Sequence, residues 1–223
     1  RTKLVVVNSP SNPLGAVASR ETLEAIAALG LLVVSDEIYR EIWYHSPPAS
    51  MLAMAENVIA VNGLSKSHGM TGLRLGWIHA REQLMKPIVT AHQYIATCAS
   101  VFSQSLATMI FEEPEWNRTW LDGVRAQFAG QREAALHAIE HELGLALHPP
   151  TGAFYAFAPI PLAGTVELAK SLAIDAAVLV IPGAAFGSMG EGFVRISYAA
   201  PVAEITTGFE RIGRWLRGGG PEH

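Results

Sequence analysis

The first half of the chain alternates short apolar runs with stretches of helical character. The apolar runs predict four strands, at 4–7, 31–34, 58–61 and 75–80. The first is a continuous and largely β-branched run, which is typical of a strand buried on both faces of a sheet. A helix is expected to begin after Ser19, whose side chain can cap it, and to end at Gly30. Strands separated by helices favour parallel pairing through βαβ crossovers, so the pattern predicts an α/β fold.

The second half of the chain has a different order of elements. Residues 91–96 belong to a mostly helical stretch and lack a strong amphipathic stripe, which favours burial. A break at Pro114 is followed by a long helical pattern over 116–143. Beyond it the pattern predicts a strand, a helix, two strands and a final helix, at 152–157, 166–173, 177–181, 193–198 and 203–216. We therefore expect one domain at 1–114 and a small C-terminal domain at 115–223.

Three polar residues stand where predicted strands end. Asn12 follows the first strand, Asp36 the second and Lys66 the third. Ligands of parallel sheets gather at the carboxyl ends of the strands, so these side chains are expected to converge there. Each also has an ordinary structural explanation. Asn12 lies in an Asn-Pro turn, Asp36 could cap a following helix, and a lone lysine in a Gly-rich turn is usually a surface residue.

Composition and charge exclude several classes of function for this chain. A formal net charge of −4 and a pI near 6.1 argue against nucleic-acid binding. No apolar stretch reaches the roughly 18 residues that a membrane span needs. The single cysteine, Cys98, excludes an internal disulfide and favours a reducing, cytoplasmic location. The chain begins at Arg1 and enters a strand at once, which indicates a piece of a longer protein.

The run from Gly63 to Trp77, with Lys66 near its start, carries the strongest chemical signal. A lysine at a strand end, in a dry and crowded pocket, can lose its proton and attack a carbonyl group. Arg74, eight residues later, can hold a phosphate through two parallel hydrogen bonds. The glycines of the run let backbone approach a flat ligand closely. An amine nucleophile combined with a phosphate clamp suits pyridoxal phosphate (PLP).

Three further residues have both a functional and a structural interpretation. In a PLP site a buried carboxylate at Asp36 would keep the pyridine nitrogen protonated. Tyr39 could donate a hydrogen bond to the phenolic oxygen of the ring, or simply pack in the core with its hydroxyl satisfied. Arg195 stands among apolar neighbours in a predicted strand, where a charge is costly unless paired, and a structural ion pair is the usual answer.

The run Gly63–Trp77 resembles the PLP-lysine signature of class I and II aminotransferases. Further segments of that family have counterparts in the same order along the chain, namely Asn12-Pro13-Leu14-Gly15, Ser35–Tyr39, Gly152–Tyr155, Ile181–Gly187 and Phe193–Tyr198. Two positions depart from the family pattern. Leu14 replaces the usual threonine, and Gly63 stands where some members place a serine hydroxyl for the phosphate. Ser65, or a residue outside the chain, would compensate for that hydroxyl.

The resemblance implies a fold and the catalytic residues. The expected fold is the C-terminal part of a PLP-transferase fold type I large domain, a mainly parallel sheet with helices on both faces, plus an α+β small C-terminal domain. Lys66 would carry PLP as a Schiff base and act as general acid–base. Asp36 would pair with the pyridine nitrogen, and Tyr39 with the ring oxygen.

The resemblance also implies the residues that bind the phosphate and the substrate. Ser65 and Arg74 would contact the cofactor phosphate. Asn12 would contact both the ring oxygen and the substrate carboxylate, and Arg195 would bind the α-carboxylate of the amino acid through its guanidinium fork. No metal is expected.

The implied activity is transfer of an amino group between an L-amino acid and a 2-oxo acid, by a homodimer of the full-length protein. Three alternatives remain open: a PLP-dependent C–S β-lyase, an aminotransferase-like effector domain of a transcriptional regulator, and an inert fragment. The phosphate loop, ring-stacking aromatic and intersubunit tyrosine of the family's first part have no counterpart here. We therefore expect this chain alone to bind PLP weakly and to be inactive.

Overall fold

The computed structural model describes residues 1–160 and 164–218. The chain forms two compact units. One consists of Arg1–Ser11 and Ala16–Arg125, and the other of Asn12–Gly15 and Ala126–His223. The division after Arg125 falls inside a long helix, whereas the sequence pattern placed it where that helix begins. The boundary between 1–114 and 115–223 stays a prediction.

The first unit is built on a four-stranded sheet. Its strands, in both sequence and spatial order, are β1 (Leu4–Asn8), β2 (Leu32–Asp36), β3 (Val58–Gly63) and β4 (Gly76–His79). The first three are parallel, as predicted, and β4 is antiparallel to β3. No helical crossover joins β3 to β4, only turns and one short 3₁₀ helix, and such a connection suits antiparallel neighbours.

One face of this sheet packs against apolar residues that follow β1 and β2. The buried cluster consists of Leu23, Val33, Met51 and Val58, with Val7, Ala18 and Ile26 packed around it. The prediction that β1 is buried on both faces is wrong, because Leu4 is 44% exposed and Val6 is 66% exposed. Side chains alternate between the faces of a strand, so these two point away from the cluster that Val7 contacts.

Three helices complete the first unit before the long helix that follows them. Helix α1 (Arg20–Ala27) begins as predicted at Ser19, whose Oγ accepts a hydrogen bond from Thr22 N. Helices α2 (Glu82–Ala96) and α3 (Val101–Glu112) follow β4. The expected burial of 91–96 is wrong: Tyr94 is 89% exposed and Ile95 is 84% exposed. These apolar side chains are not buried by any other part of the chain that the structure describes.

The second unit contains a three-stranded antiparallel sheet in the order β5-β7-β6. The sheet follows helix α4 (Pro114–Leu143) in the chain. The elements after α4 are β5 (Tyr155–Pro159), α5 (Thr165–Asp175), β6 (Ile181–Pro182), β7 (Phe193–Ser197) and α6 (Val202–Arg217). The predicted strand over 177–181 is wrong except at Ile181. Ala177 has a φ of 52°, a left-handed conformation that does not belong to a strand. This α+β unit otherwise follows the predicted order of elements.

A carboxylate from the segment before β7 caps helix α5. Glu191 Oε1 accepts hydrogen bonds from Thr165 N (3.0 Å) and Gly164 N (3.1 Å), and Oε2 accepts one from Thr165 Oγ1 (3.1 Å). These hydrogen bonds, that from Thr165 N above all, lower the pKa of Glu191 from its ordinary value. The cap is therefore strongest while this carboxylate is ionised.

None of the helices in the described parts of the chain is both long enough and apolar enough to cross a membrane.

Candidate active site

Lys66 lies in the turn that directly follows β3. It is half-buried, and its Nζ is 5.9 Å from the centroid of the Tyr39 ring. Tyr39 is buried in the turn after β2. Because β2 and β3 are parallel neighbours, their carboxyl ends lie side by side, and Asp36 pairs in register with Val61. The structure thus places Lys66 and Tyr39 at the sheet edge where the sequence pattern expected a ligand.

Asp36 is the last residue of β2 and keeps its carboxylate near the start of the next turn. Its Oδ1 accepts a hydrogen bond from Ile38 N at 3.2 Å, while its carbonyl accepts one from Ser9 N at 3.2 Å. Turns rather than a helix follow it, so the helix-cap explanation is wrong. An ionised carboxylate can accept about four hydrogen bonds, so the contact with Ile38 leaves capacity for a ligand.

A buried hydrogen-bond chain braces the turn that carries Lys66. Ser67 Oγ lies 2.9 Å from His68 Nδ1, and His68 Nε2 lies 2.9 Å from Asn117 Oδ1. Trp120 stacks on the His68 ring and donates its Nε1–H to the carbonyl of Ser67 at 3.2 Å. This chain fixes the backbone on which Lys66 stands. This hydrogen-bond chain was not predicted from the sequence, although the polar residues Ser67 and His68 directly after Lys66 indicated hydrogen bonding.

A second buried group, Glu37, was also missed. Its Oε1 accepts hydrogen bonds from Ser50 Oγ (2.8 Å), Ser35 Oγ (3.0 Å) and Met51 N (3.2 Å). These contacts satisfy a buried carboxylate and tie the end of β2 to the 3₁₀ helix that begins at Met51. Its Oε2 lies 3.8 Å from Arg40 Nη1, so both oxygens of Glu37 have partners within the protein and Glu37 is a structural neighbour of Asp36.

The two candidate phosphate ligands are held differently. Ser65 is half-buried and directly precedes Lys66 in its turn. Arg74 is exposed, has a left-handed backbone with a φ of 50°, and donates Nη1–H to the carbonyl of Thr71 at 3.0 Å. Its guanidinium has five N–H donors, so this one local contact leaves most of them available to an anion.

Gly63 lies where strands β3 and β4 approach each other closely. A Cβ at this position would lie 2.9 Å from the carbonyl oxygen of Leu75 and 3.2 Å from Gly76 Cα. Strands β3 and β4 approach too closely here for a side chain. Strand packing therefore requires a glycine at this position.

In the second unit, Arg195 on β7 projects its guanidinium between two aromatic rings. Its Cζ lies 4.8 Å from the Tyr155 ring centroid and 5.3 Å from that of Phe186. Its Nη1 donates a hydrogen bond to Asn12 Oδ1 at 3.0 Å. Within residues 1–160 and 164–218 it forms no ion pair, so its charge is not explained by a structural salt bridge.

The Nε of Arg195 is buried and has no hydrogen-bond partner among the described residues. A buried donor without a partner is costly, and a guanidinium donor that is both fixed and unsatisfied is complementary to an anion. A carboxylate that approached Nε would restore the missing hydrogen bond.

The turn that carries Asn12 belongs to the second unit and is hydrogen-bonded to the segment before β5. The carbonyl of Gly15 accepts hydrogen bonds from Thr151 N (2.8 Å) and Gly152 N (2.9 Å). Gly15 has a φ of 66°, and a Cβ there would lie 2.4 Å from the carbonyl oxygen of Tyr155. Only glycine fits, which explains why the predicted turn ends in this residue.

The sequence-predicted site residues thus fall into two groups. The first unit holds Asp36, Tyr39, Ser65, Lys66 and Arg74, and the second holds Asn12 and Arg195. Their chemistry fits PLP and an amino acid. An amine suits an aldehyde, a carboxylate suits a pyridinium nitrogen, a phenol suits a phenolate oxygen and a guanidinium suits a phosphate. The unsatisfied buried Nε of Arg195 suits a substrate carboxylate.

Comparison with known proteins shows the family to which the chain belongs. The family model described as aminotransferase class I and II matches residues 1–212. An aspartate aminotransferase of Pyrococcus abyssi is 36% identical over 97% of this chain, which covers 58% of that protein. A probable N-acetyl-LL-diaminopimelate aminotransferase of Bacillus subtilis is 37% identical over 95% of this chain, which covers 54% of it.

Solved structures are similar over the same extent. An aromatic aminotransferase from Pyrococcus horikoshii OT3 superposes with a TM-score of 0.90 at 34% identity, with 97% of this chain and 60% of that chain covered. An aspartate aminotransferase from Thermus thermophilus with maleate gives a TM-score of 0.90 at 33% identity, with coverages of 96% and 57%. The chain therefore spans somewhat more than half the length of these relatives. It has the fold type I architecture and belongs to the class I and II aminotransferase family.

Proposed function

We propose that this chain is part of a PLP-dependent enzyme that transfers an amino group between an L-amino acid and a 2-oxo acid. The observation that carries the proposal is the placement of Lys66. Lys66 is half-buried in a braced turn at the carboxyl end of β3, with its amine beside the Tyr39 ring. The chain that carries it belongs to the aminotransferase family. When bound there, PLP supplies an electron sink for the bond broken at the substrate Cα.

Lys66 has two tasks in this proposal. Its Nζ holds the cofactor covalently in the resting enzyme. Once free, the same nitrogen would remove the proton from the substrate Cα as a general base and then donate it to the C4′ carbon of the cofactor as a general acid. Its turn is fixed by Ser67, His68 and Trp120, which gives the Lys66 side chain a fixed backbone position from which to reach the substrate.

Asp36 and Tyr39 control the electronic state of the ring. The carboxylate of Asp36 holds the positive charge at the pyridine nitrogen, which strengthens the electron sink. The hydroxyl of Tyr39 donates to the ring oxygen. Ser65 and Arg74 bind the phosphate, Arg74 through its guanidinium fork. The neighbouring Glu37 takes no part in this proposal, because its Oε1 accepts hydrogen bonds from Ser35, Ser50 and Met51 and its Oε2 lies 3.8 Å from Arg40 Nη1.

Arg195 and Asn12 bind the substrate carboxylate. The rings of Tyr155 and Phe186 hold the guanidinium of Arg195 at a fixed position, and the hydrogen bond to Asn12 sets its rotation. The buried Nε is left to donate to a carboxylate oxygen. This arrangement selects α-amino and α-oxo acids over simple amines and aldehydes.

Product analysis tests the reaction class. The full-length protein with PLP should move the amino group of an L-amino acid to a 2-oxo acid with one-for-one stoichiometry and ping-pong kinetics. Pyruvate, ammonia and a thiol formed from a sulfur amino acid, without net transfer, would instead identify a C–S β-lyase. A full-length protein that binds PLP and turns over neither substrate type would contradict both enzymatic proposals and favour an effector-sensing domain.

Replacing Arg195 by lysine separates carboxylate binding from structural support. Arg195→Lys keeps the charge and loses the fork, so we expect affinity for amino acids, oxo acids and maleate to fall about ten-fold or more. Binding of amines without a carboxylate should hardly change. Arg214→Lys, an exposed arginine on α6, serves as the matched control. Equal losses for acids and amines would show that Arg195 is structural.

We also propose that the full-length protein is a cytoplasmic homodimer. Large apolar side chains are exposed on β1, α2 and α3, among them Val6, Tyr94 and Phe102, and exposed apolar surface favours association. Cys98, the one cysteine of the chain, is free and exposed, which suits a reducing compartment. A monomeric mass in solution, measured by light scattering, would contradict the dimer.

A further inference from the structure

Helix α4 carries two exposed histidines that take no part in the proposed PLP site. His137 and His141 are four residues apart, and both side chains are exposed. Their ring centroids lie 4.1 Å from each other, with 31° between the ring planes. Residues four apart share one face of a helix, so the two imidazoles stand one turn above the other.

We propose that His137 and His141 bind a divalent transition-metal ion such as Cu²⁺, Ni²⁺ or Zn²⁺. Neutral imidazole is a preferred ligand of these ions. Two histidines at this helical spacing also supply the first two ligands in helical zinc sites. The segment between and including the two histidines is His137-Ala138-Ile139-Glu140-His141. Glu140 is three residues after His137 and therefore lies on the same side of the helix, where its negative charge attracts a cation.

The site would be a binding site with two protein ligands and not a hydrolytic centre. The described residues contain no group of three or more metal-ligating side chains. Catalytic zinc sites keep three protein ligands, so water would fill the remaining positions here. Metals late in the Irving–Williams order, above all Cu²⁺, gain most from two imidazoles and should bind most tightly.

The backbone beneath the pair is already ordered, which lowers the entropic cost of binding. Ala138 and Ile139, between the two histidines, are buried in the second unit. The helix also ends without fraying: Gly144 has a φ of 63° and donates to the carbonyl of Glu140 at 3.0 Å, and Leu145 N donates to that of Ile139. Metal binding therefore fixes only two side chains, and one of them lies in the last turn, where the helix dipole favours a cation.

Calorimetric titration of the full-length protein with CuCl₂ or NiCl₂, in a buffer that does not bind metals, tests the proposal. Wild type should bind one ion at this pair. His137→Ala and His141→Ala should each weaken that binding about ten-fold or more, and the double variant should lose it, because each removes one of two ligands. His92→Ala is the matched control, an exposed histidine on α2 without a histidine four residues away, and should bind the metal as wild type does.

Thermal unfolding gives a second readout that does not depend on activity. An ion bound only by the native state raises its melting temperature, so Ni²⁺ should stabilise wild type and His92→Ala but not the double variant. Without metal, all variants should melt at similar temperatures, since both side chains are exposed. Equal affinity in wild type and the double variant, or no binding by wild type at millimolar metal, would overturn the proposal.

Discussion

Lys66→Ala should lower the rate of amino-group transfer by more than about a thousand-fold in the full-length protein. The variant loses both the amine that holds PLP and the group that moves the Cα proton, and general acid–base catalysis alone contributes about 10²–10⁴-fold. Stability should change little, because the turn is fixed by Ser67 and its partners and not by the Lys66 side chain. Steady-state kinetics and thermal unfolding measure the two effects.

Borohydride reduction identifies the lysine directly. Reduction of the PLP-loaded protein should fix the label on Lys66, and peptide mapping should find none on Lys86, an exposed lysine of α2. Lys86→Ala is the matched control and should retain full activity. Label on another lysine in wild type, or transfer by Lys66→Ala close to the wild-type rate, would disprove the assignment.

Asp36→Ala should reduce turnover by about a thousand-fold, because a charge placed to stabilise the transition state is lost. Asp36→Asn sharpens the test. Its side-chain oxygen can still accept the hydrogen bond from Ile38 N, so the local turn is kept while the negative charge is removed. We expect Asn to be nearly as damaging as Ala. Asp36→Glu restores the charge and should lose much less.

Glu37→Gln is the control for Asp36. Glu37 is the adjacent carboxylate, but it holds Ser35 and Ser50 together. Its replacement should lower the melting temperature and leave the turnover of the folded enzyme unchanged. If Asp36→Asn behaves in the same way, reduced in stability alone, then Asp36 is a turn residue and not the partner of the pyridine nitrogen.

The strand ends could be predicted from the sequence because local patterns encode them. A β-branched run followed by a polar residue defines where β2 ends at Asp36, and a similar run precedes the turn of Lys66. Parallel pairing then places the two ends at one sheet edge without any knowledge of distant contacts. The long Lys66 segment further indicated the family, which the comparison with known proteins confirmed.

The features that were missed or wrong depend on partners far away in the chain. Composition cannot show that Val6 faces away from the core, since a β-branched residue looks alike on the covered and the uncovered face of a sheet. The role of His68 becomes evident only with its partner Asn117, and that of the Asn12 turn only with the segment Thr151–Gly152 to which Gly15 is hydrogen-bonded. Local patterns do not encode such pairings.

The contact between Asn12 and Arg195 also sets an order of events during synthesis. The two residues are 183 positions apart in the chain. At about 5–20 residues per second, a ribosome needs roughly 10–40 s to add that stretch after Asn12 is made. Strands β1 to β3 can pair within that time, whereas the Asn12 turn must wait for β5 and β7. The proposed carboxylate-binding pair is therefore among the last parts of the nascent protein to form, so a chain interrupted before Arg195 would contain Asp36 and Lys66 but not the residue proposed to select an amino acid.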